Sequence, residues 1–446
     1  MMLGNESSGN YKYGWTESLS KWRFVIVVLA LSSILRMIGV ADRYYALMNI
    51  LFLLFYSGCI YKLMSACTYR CIRIVIYTSY LIRVVLSSIN YFCNYIFEAF
   101  LHNTDWSRFQ LVAVNYYYGN FKNQYLTNYP YILLFEYKIF GLNEYLARLT
   151  NTFFSVLALY ILFLLLDYLN LNIKTQVFAL VAASFAPFSI IYSMMLLREP
   201  IYVLATIAAL YCFVRFMVEK RKWQIAVCVL ASIGMVLLHT GMIVVLMSFL
   251  LIILIEKLKN MHSLVQRGLI FILVLGILAG TFLLLSKMKW SYILIDKPQD
   301  IFNKIDYVYQ LRMHEKGNSQ YLRWMSIDNM KEVVLFTPLR MLEFLISPLP
   351  FIESIRLKDL AAFILDSSIY LLALLSSVIY FKKKHVFSNL YRITYSTCLS
   401  LILLTALVYA WGTVTAGTAI RHRLFLNMIC IVMISICVGR CKNKEE

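Results

Sequence analysis

Apolar stretches long enough to cross a bilayer recur along the whole chain, and nothing else in the sequence constrains its fold as strongly. A helix rising 1.5 Å per residue needs roughly 17–25 apolar residues to span a hydrocarbon core about 30 Å thick. Such runs lie near 24–40, 45–61, 74–95, 148–168, 175–195, 200–217, 224–239, 241–256, 268–286, 360–381, 391–411 and 424–440. Residues of apolar type make up 61% of the 446, and charged residues only 15%. A soluble domain carries about 25% charged residues, so a soluble fold is excluded. The chain reads as one all-α polytopic membrane domain over 1–446, with about twelve spans. The first two spans are expected to form a hairpin with "ADRYY" as its turn.

The net charge of +19 is a topological signal and does not indicate nucleic acid. Lys62/Arg70/Arg73, Lys220/Arg221/Lys222, Lys257/Lys259/Arg267, Lys382/Lys383/Lys384 and Arg440/Lys442/Lys444 all fall on one side of this arrangement. By the positive-inside rule that side is cytoplasmic, and both termini with it. The ten cysteines are scattered through apolar segments. Neither Cys67/Cys71 nor Cys437/Cys441 has the neighbours of a zinc site.

The opposite face collects a different set of residues. It holds a first large loop, 96–147, and a second, 287–359, together with "LLREP", "LLHTG" and "GTAIRHR". The first loop reads as two short amphipathic helices on the membrane surface, with Trp106, Phe109 and Tyr116–Tyr118 suited to the interface. Asp105, just ahead of the first helix, reads as an N-cap, as a general base for an acceptor hydroxyl, or as both. Arg198 either snorkels to the interface or meets an anion, with Glu199 steadying its guanidinium. His239 is either structural or an aid to phosphate contact and proton transfer. Arg340, Glu343, Glu353 and Arg356 punctuate a segment with Pro348 and Pro350. That segment reads as a surface helix or as irregular backbone lining a cavity. In "GTAIRHR", Gly417 suits a tight turn or close approach. Arg421, His422 and Arg423 stand against the positive-inside bias and therefore need a reason. Arg421 and Arg423 point in different directions on a helix, so one would reach a site and the other lipid headgroups.

Together these residues outline an outward-opening cavity holding a carboxylate and several cations. An anionic headgroup on a lipid tail, a polyprenyl phosphate or pyrophosphate carrying sugar, fits such a site. No oxygen-rich cluster calls for Mg²⁺, and no cofactor is indicated.

The stretch from "DW" at 105 through "YYYG", "YPYILLFEYKIF" and "GLNEYLARLTN" resembles the first extracytoplasmic loop of GT-C fold glycosyltransferases, such as protein mannosyltransferases and aminoarabinose transferase relatives. The resemblance implies a polytopic enzyme that uses lipid-linked sugar, with Asp105 as its base. "LLREP", "LHTG", "FLISPLP" and "GTAIRHR" look like phrases of membrane proteins in bacterial capsule and exopolysaccharide clusters. The chain departs from the family pattern in having a two-span hairpin before the usual first span, and a single "TDW" where the family has an acidic pair. The expectation is transfer of a sugar or oligosaccharide from a polyprenyl carrier to a glycan acceptor at the outer face of a bacterial inner membrane. Arg198, Glu199, His239, Arg340, Arg421, His422 and Arg423 would serve the donor, in a monosaccharide transferase or an O-antigen-type polymerase. Transport or flipping of lipid-linked glycans is the competing class. Few ionisable residues lie at mid-span to couple ions, Arg83 being the main exception, and no pair of inverted halves with interrupted spans is evident.

Overall fold

The computed structural model describes residues 41–93, 95–97, 105–121, 128–259, 329–349 and 357–442, with single positions at 268, 272, 320, 322 and 325. The span expected at 24–40, that expected at 268–286 apart from Gly268 and Ile272, most of the second large loop, and Pro350, Glu353 and Arg356 lie outside the described residues.

The first elements are α1 (Ala41–Ser65), α2 (Arg70–Phe92), α3 (Asp105–Tyr117), α4 (Tyr129–Phe140) and α5 (Glu144–Tyr168). Then come α6 (Ile173–Phe185), α7 (Pro187–Ser193), α8 (Glu199–Glu219), α9 (Lys222–Leu238) and α10 (Ile243–Lys259). Within the stretch expected as the second large loop lies α11 (Met330–Ile346), and α12 (Leu357–Ala362) starts at its end; α13 (Ser368–Lys382), α14 (Asn389–Tyr409), α15 (Ala416–Arg423) and α16 (Leu426–Lys442) follow. A π-helical turn, Phe363–Ser367, joins α12 to α13. Among the described residues, seven helices are long and apolar enough to span a membrane, or nine if each of two bent pairs counts as one span. The 17-residue α9 is a shorter apolar helix.

Local signals explain most boundaries. Asn143 caps α5 by accepting from Leu146 N at 3.1 Å, and Asn172 caps α6 by accepting from Thr175 N at 2.8 Å. Pro130 and Pro200 sit in first turns, where the missing N–H costs nothing. Lys220, with φ of 57°, ends α8 in the left-handed region.

Three expectations need correction. "ADRYY" is the first turn of α1 and not a hairpin turn, because none of its residues breaks a helix. The 175–195 run is not one straight span. Pro187 cannot continue the ladder of α6, and α7 leaves at 53°. Gly417 lies inside α15, with open space beside it, and makes no turn.

Of the seven unbroken spans, α5, α8 and α14 are the most buried, while α1 and α2 show most of their length to the outside. Lipid is as apolar as their side chains, so these exposed faces need no protein cover. The centre is closed by α16, whose Leu426–Val432 run is buried throughout. The short helices α3 and α4 lie between α2 and α5 in sequence and pack on each other.

Candidate active site

Three helix ends meet at one place. Asp105 is the first residue of α3, Glu199 is the first residue of α8, and Arg421 lies in the last turn of α15. Each charge suits its position, since a helix N-terminus favours anions and a C-terminus cations. The Arg421 guanidinium donates Nε–H to Glu199 Oε1 and an Nη1–H to Asp105 Oδ2. Arg421 and Glu199 are buried, whereas the Asp105 side chain remains 35% exposed. Asp105 is therefore the member of the trio that water or an incoming hydroxyl can reach. It lies within α3 and does not precede it, and the exposed Arg108 stands 3.8 Å away.

Arg198 is buried beside this trio. Its guanidinium lies over the rings of Phe109 (5.9 Å) and Tyr202 (5.8 Å), and it donates to Leu238 O, an end-of-helix carbonyl of α9, at 3.5 Å. Among the described residues, neither its buried Nε nor Glu199 Oε2 has a hydrogen-bond partner. Glu199 does not steady Arg198 as expected. Successive residues at a helix start project about 100° apart, and Glu199 is turned to Arg421.

His239 lies in the turn between α9 and α10 and joins the same face. Its Nδ1 accepts from Gly241 N at 3.0 Å, which assigns the proton of the neutral ring to Nε2. Burial, then Arg198, His422 and Arg421, push its pKa well below the usual imidazole value, so the ring stays neutral. Its ring is 5.6 Å from that of His422, 5.8 Å from Tyr409 and 6.4 Å from Tyr202. His422 packs 4.9 Å from Tyr409, and its Nδ1 meets Thr413 Oγ1 at 3.4 Å. Arg340 is fully buried with its guanidinium 5.4 Å from the Trp411 ring. One turn along α11, Phe344 stacks on Tyr409, so this helix backs the aromatic wall.

Arg423 goes elsewhere. It is fully buried and turned to Asp366, Ser367 and the C-terminal end of α11, reaching neither lipid headgroups nor the Asp105 trio. Two residues on a helix lie about 200° apart, so with Arg421 turned to the trio Arg423 must face away.

The sequence reading missed the residues that hold the Arg198 segment in place. Met194 to Leu197 are all fully buried on irregular backbone, which inside a membrane protein is tolerated only where its polar groups are met. Arg148 donates to Met194 O at 3.0 Å. Asn151 donates to Met195 O at 2.7 Å and Leu197 O at 3.0 Å, and Thr152 to Ser193 O at 3.3 Å. Arg148 also pairs with Glu144 at 2.7 Å and lies over Tyr95 and Trp106, next to Asp105. The signal was present: Glu144, Arg148, Asn151 and Ser155 are spaced four, three and four along an otherwise apolar span, a polar stripe on one helix face. Asp366, a lone acid within an apolar run, was a second such signal.

Residues 71–286 match the sequence profile of the family described as dolichyl-phosphate-mannose-protein mannosyltransferase. The match takes in Asp105, Arg198, Glu199 and His239 and ends before Arg340 and Arg421. No curated protein and no solved structure matches the chain. With its helical membrane architecture, this similarity makes the chain a polytopic GT-C fold glycosyltransferase that draws on a lipid-linked sugar donor.

Proposed function

We propose that the enzyme works at the extracytoplasmic face, moving a sugar or oligosaccharide from a polyprenyl-(pyro)phosphate to a glycan acceptor in surface polysaccharide synthesis. The observation that carries this reading is the meeting of Asp105 with Arg421, 316 residues apart in sequence, and with Glu199 on the same guanidinium. A reachable carboxylate beside a buried cation is the pair that glycosyl transfer from a phosphate needs.

In the resting arrangement Arg421 is neutralised by Asp105 and Glu199. A donor phosphate would compete with Asp105 for Arg421 and release its carboxylate. Asp105 then accepts the proton of the acceptor hydroxyl as that oxygen attacks the anomeric carbon from the face opposite the phosphate. The bond from that carbon to the phosphate oxygen breaks, and the electron pair leaves with the phosphate. Arg421 and Arg198 hold the charge that develops on it, the kind of electrostatic stabilisation that dominates such steps. His239, neutral with its proton on Nε2, is placed to donate to a phosphate oxygen, and His422 lies beside it. Glu199 keeps Arg421 oriented when Asp105 lets go. Arg340 backs the wall through Trp411.

The test is lipid-linked and surface glycan in cells that make wild type, Asp105→Asn or Arg421→Ala in place of the native protein. Loss of transfer on the order of a hundredfold or more with Asp105→Asn, at unchanged protein level, is the expected result. Normal glycan in both variants would overturn the assignment. Complete repeat units left on the carrier would identify a polymerase, and a polymer lacking one sugar a monosaccharide transferase.

A further inference from the structure

The eight-residue helix α15 carries Arg421 on one side and Arg423 on the other, and it has no side-chain N-cap of its own. Its Arg421 side is held by the site carboxylates. Its other side is held by a network that the reaction above does not use. Arg423 donates Nε–H to Asp366 Oδ2 at 3.1 Å and an Nη2–H to the same oxygen at 2.6 Å. It also donates to Phe344 O at 2.6 Å, Ser347 O at 2.5 Å and Ser367 Oγ at 3.1 Å. Tyr370 lies under the guanidinium at 4.8 Å, and its hydroxyl donates to Arg423 O at 2.8 Å. Arg423 and Asp366 are both buried, and Asp366 sits in the π turn between α12 and α13.

A buried ion pair of this kind gives little net stability over an apolar packing of the same volume. What it supplies is a single permitted arrangement: a planar fork with all its partners in place cannot be rolled or shifted without orphaning several of them. Extra residues of π type inside α-helices also cluster at functional sites. We propose that Arg423 is a positioning residue which, with Asp366, fixes the roll and depth of α15 so that Arg421 faces Asp105, Glu199 and the donor phosphate. This rests on the reading of Arg421 as the cation that holds the phosphate.

The test uses the full chain in nanodiscs of zwitterionic lipid and the binding of a polyprenyl monophosphate, referred to the folded fraction. The proteins are wild type, Arg421→Ala, Arg423→Lys, Asp366→Asn and the Arg421→Ala/Arg423→Lys double variant. Arg421→Ala and Arg423→Lys should each weaken binding about tenfold, the scale of one misplaced charge-assisted hydrogen bond. Asp366→Asn should act in the same direction, and it is read alone if Arg423→Lys does not fold. In the Arg421→Ala background, Arg423→Lys should add nothing. Wild-type affinity in Arg423→Lys or Asp366→Asn, with Arg421→Ala weak, overturns the positioning role and leaves the phosphate reading standing. A further loss in the double variant overturns it also, because Arg423 would then act other than through Arg421. Equal binding by wild type and Arg421→Ala overturns both readings.

Discussion

Arg421 has two carboxylates and one guanidinium to share between them, and that imbalance defines the site. Asp105, the more exposed partner, is the one that can let go. Position at the ends of apolar runs marked Arg198, Glu199, His239 and Arg421 as candidates in the sequence, and Asp105 stood out at the start of an amphipathic helix and by the family resemblance. Helix geometry alone sets Arg421 and Arg423 apart, but which of them faces the site, like the direction of Arg198 relative to Glu199, depends on helix phase at a boundary and was not legible. His239 yields a prediction at this scale. Its folded pKa lies below the unfolded value, so as pH falls the unfolded chain takes up the proton first. The stability concerned is present above about pH 6.5 and is lost as the pH drops from there through the folded value. His239→Asn keeps an acceptor for Gly241 N and removes the titration. Its thermal midpoint in detergent should depend less on pH below about 6.5 than that of wild type. An identical pH profile would contradict the neutral, buried assignment.

At the scale of elements, hydropathy located the described spans to within a few residues, since length and apolarity are dictated by the bilayer itself. The breaks were harder to see. Pro187 looked like an ordinary residue inside an apolar run, and Met194 and Met195, the start of the irregular stretch that runs to Leu197, looked like the end of a helix. What makes that stretch possible is α5, which carries the hydrogen-bond donors its carbonyls need. Asn151 is the key residue, with bonds to Met195 O, Leu197 O and the Tyr129 hydroxyl. Asn151→Ala strands these buried groups and should lower unfolding stability by roughly 2–4 kcal/mol, with a matching fall in transfer activity. A thermal or denaturant midpoint equal to that of wild type would show that the segment does not depend on this anchor.

At the scale of the whole molecule, the charge bias assigns the two ends of every span to opposite sides, and the native cysteines allow this to be checked directly. Cys71 and Cys93 are free and exposed at opposite ends of α2. If the basic loops are cytoplasmic, an impermeant maleimide added to intact cells, with access to the outer face of the inner membrane, should label Cys93 and not Cys71. Cys93→Ser should abolish that labelling, and Cys71→Ser should leave it unchanged. Labelling that persists in Cys93→Ser and vanishes in Cys71→Ser would invert the topology and move the Asp105 face to the cytoplasm.

The distance along the chain between Asp105 and Arg421 also has a meaning in time. A ribosome adding roughly 5–20 residues per second delivers Arg421 some 15–60 seconds after Asp105, from which it is separated by 316 positions. Glu199 precedes Arg421 by 222 positions, so both carboxylates are made well before the guanidinium that joins them. On the proposed role of Arg421 as the cation that holds the donor phosphate, a nascent chain does not engage its lipid-borne substrate part-way through synthesis, and activity waits until α15 has been made.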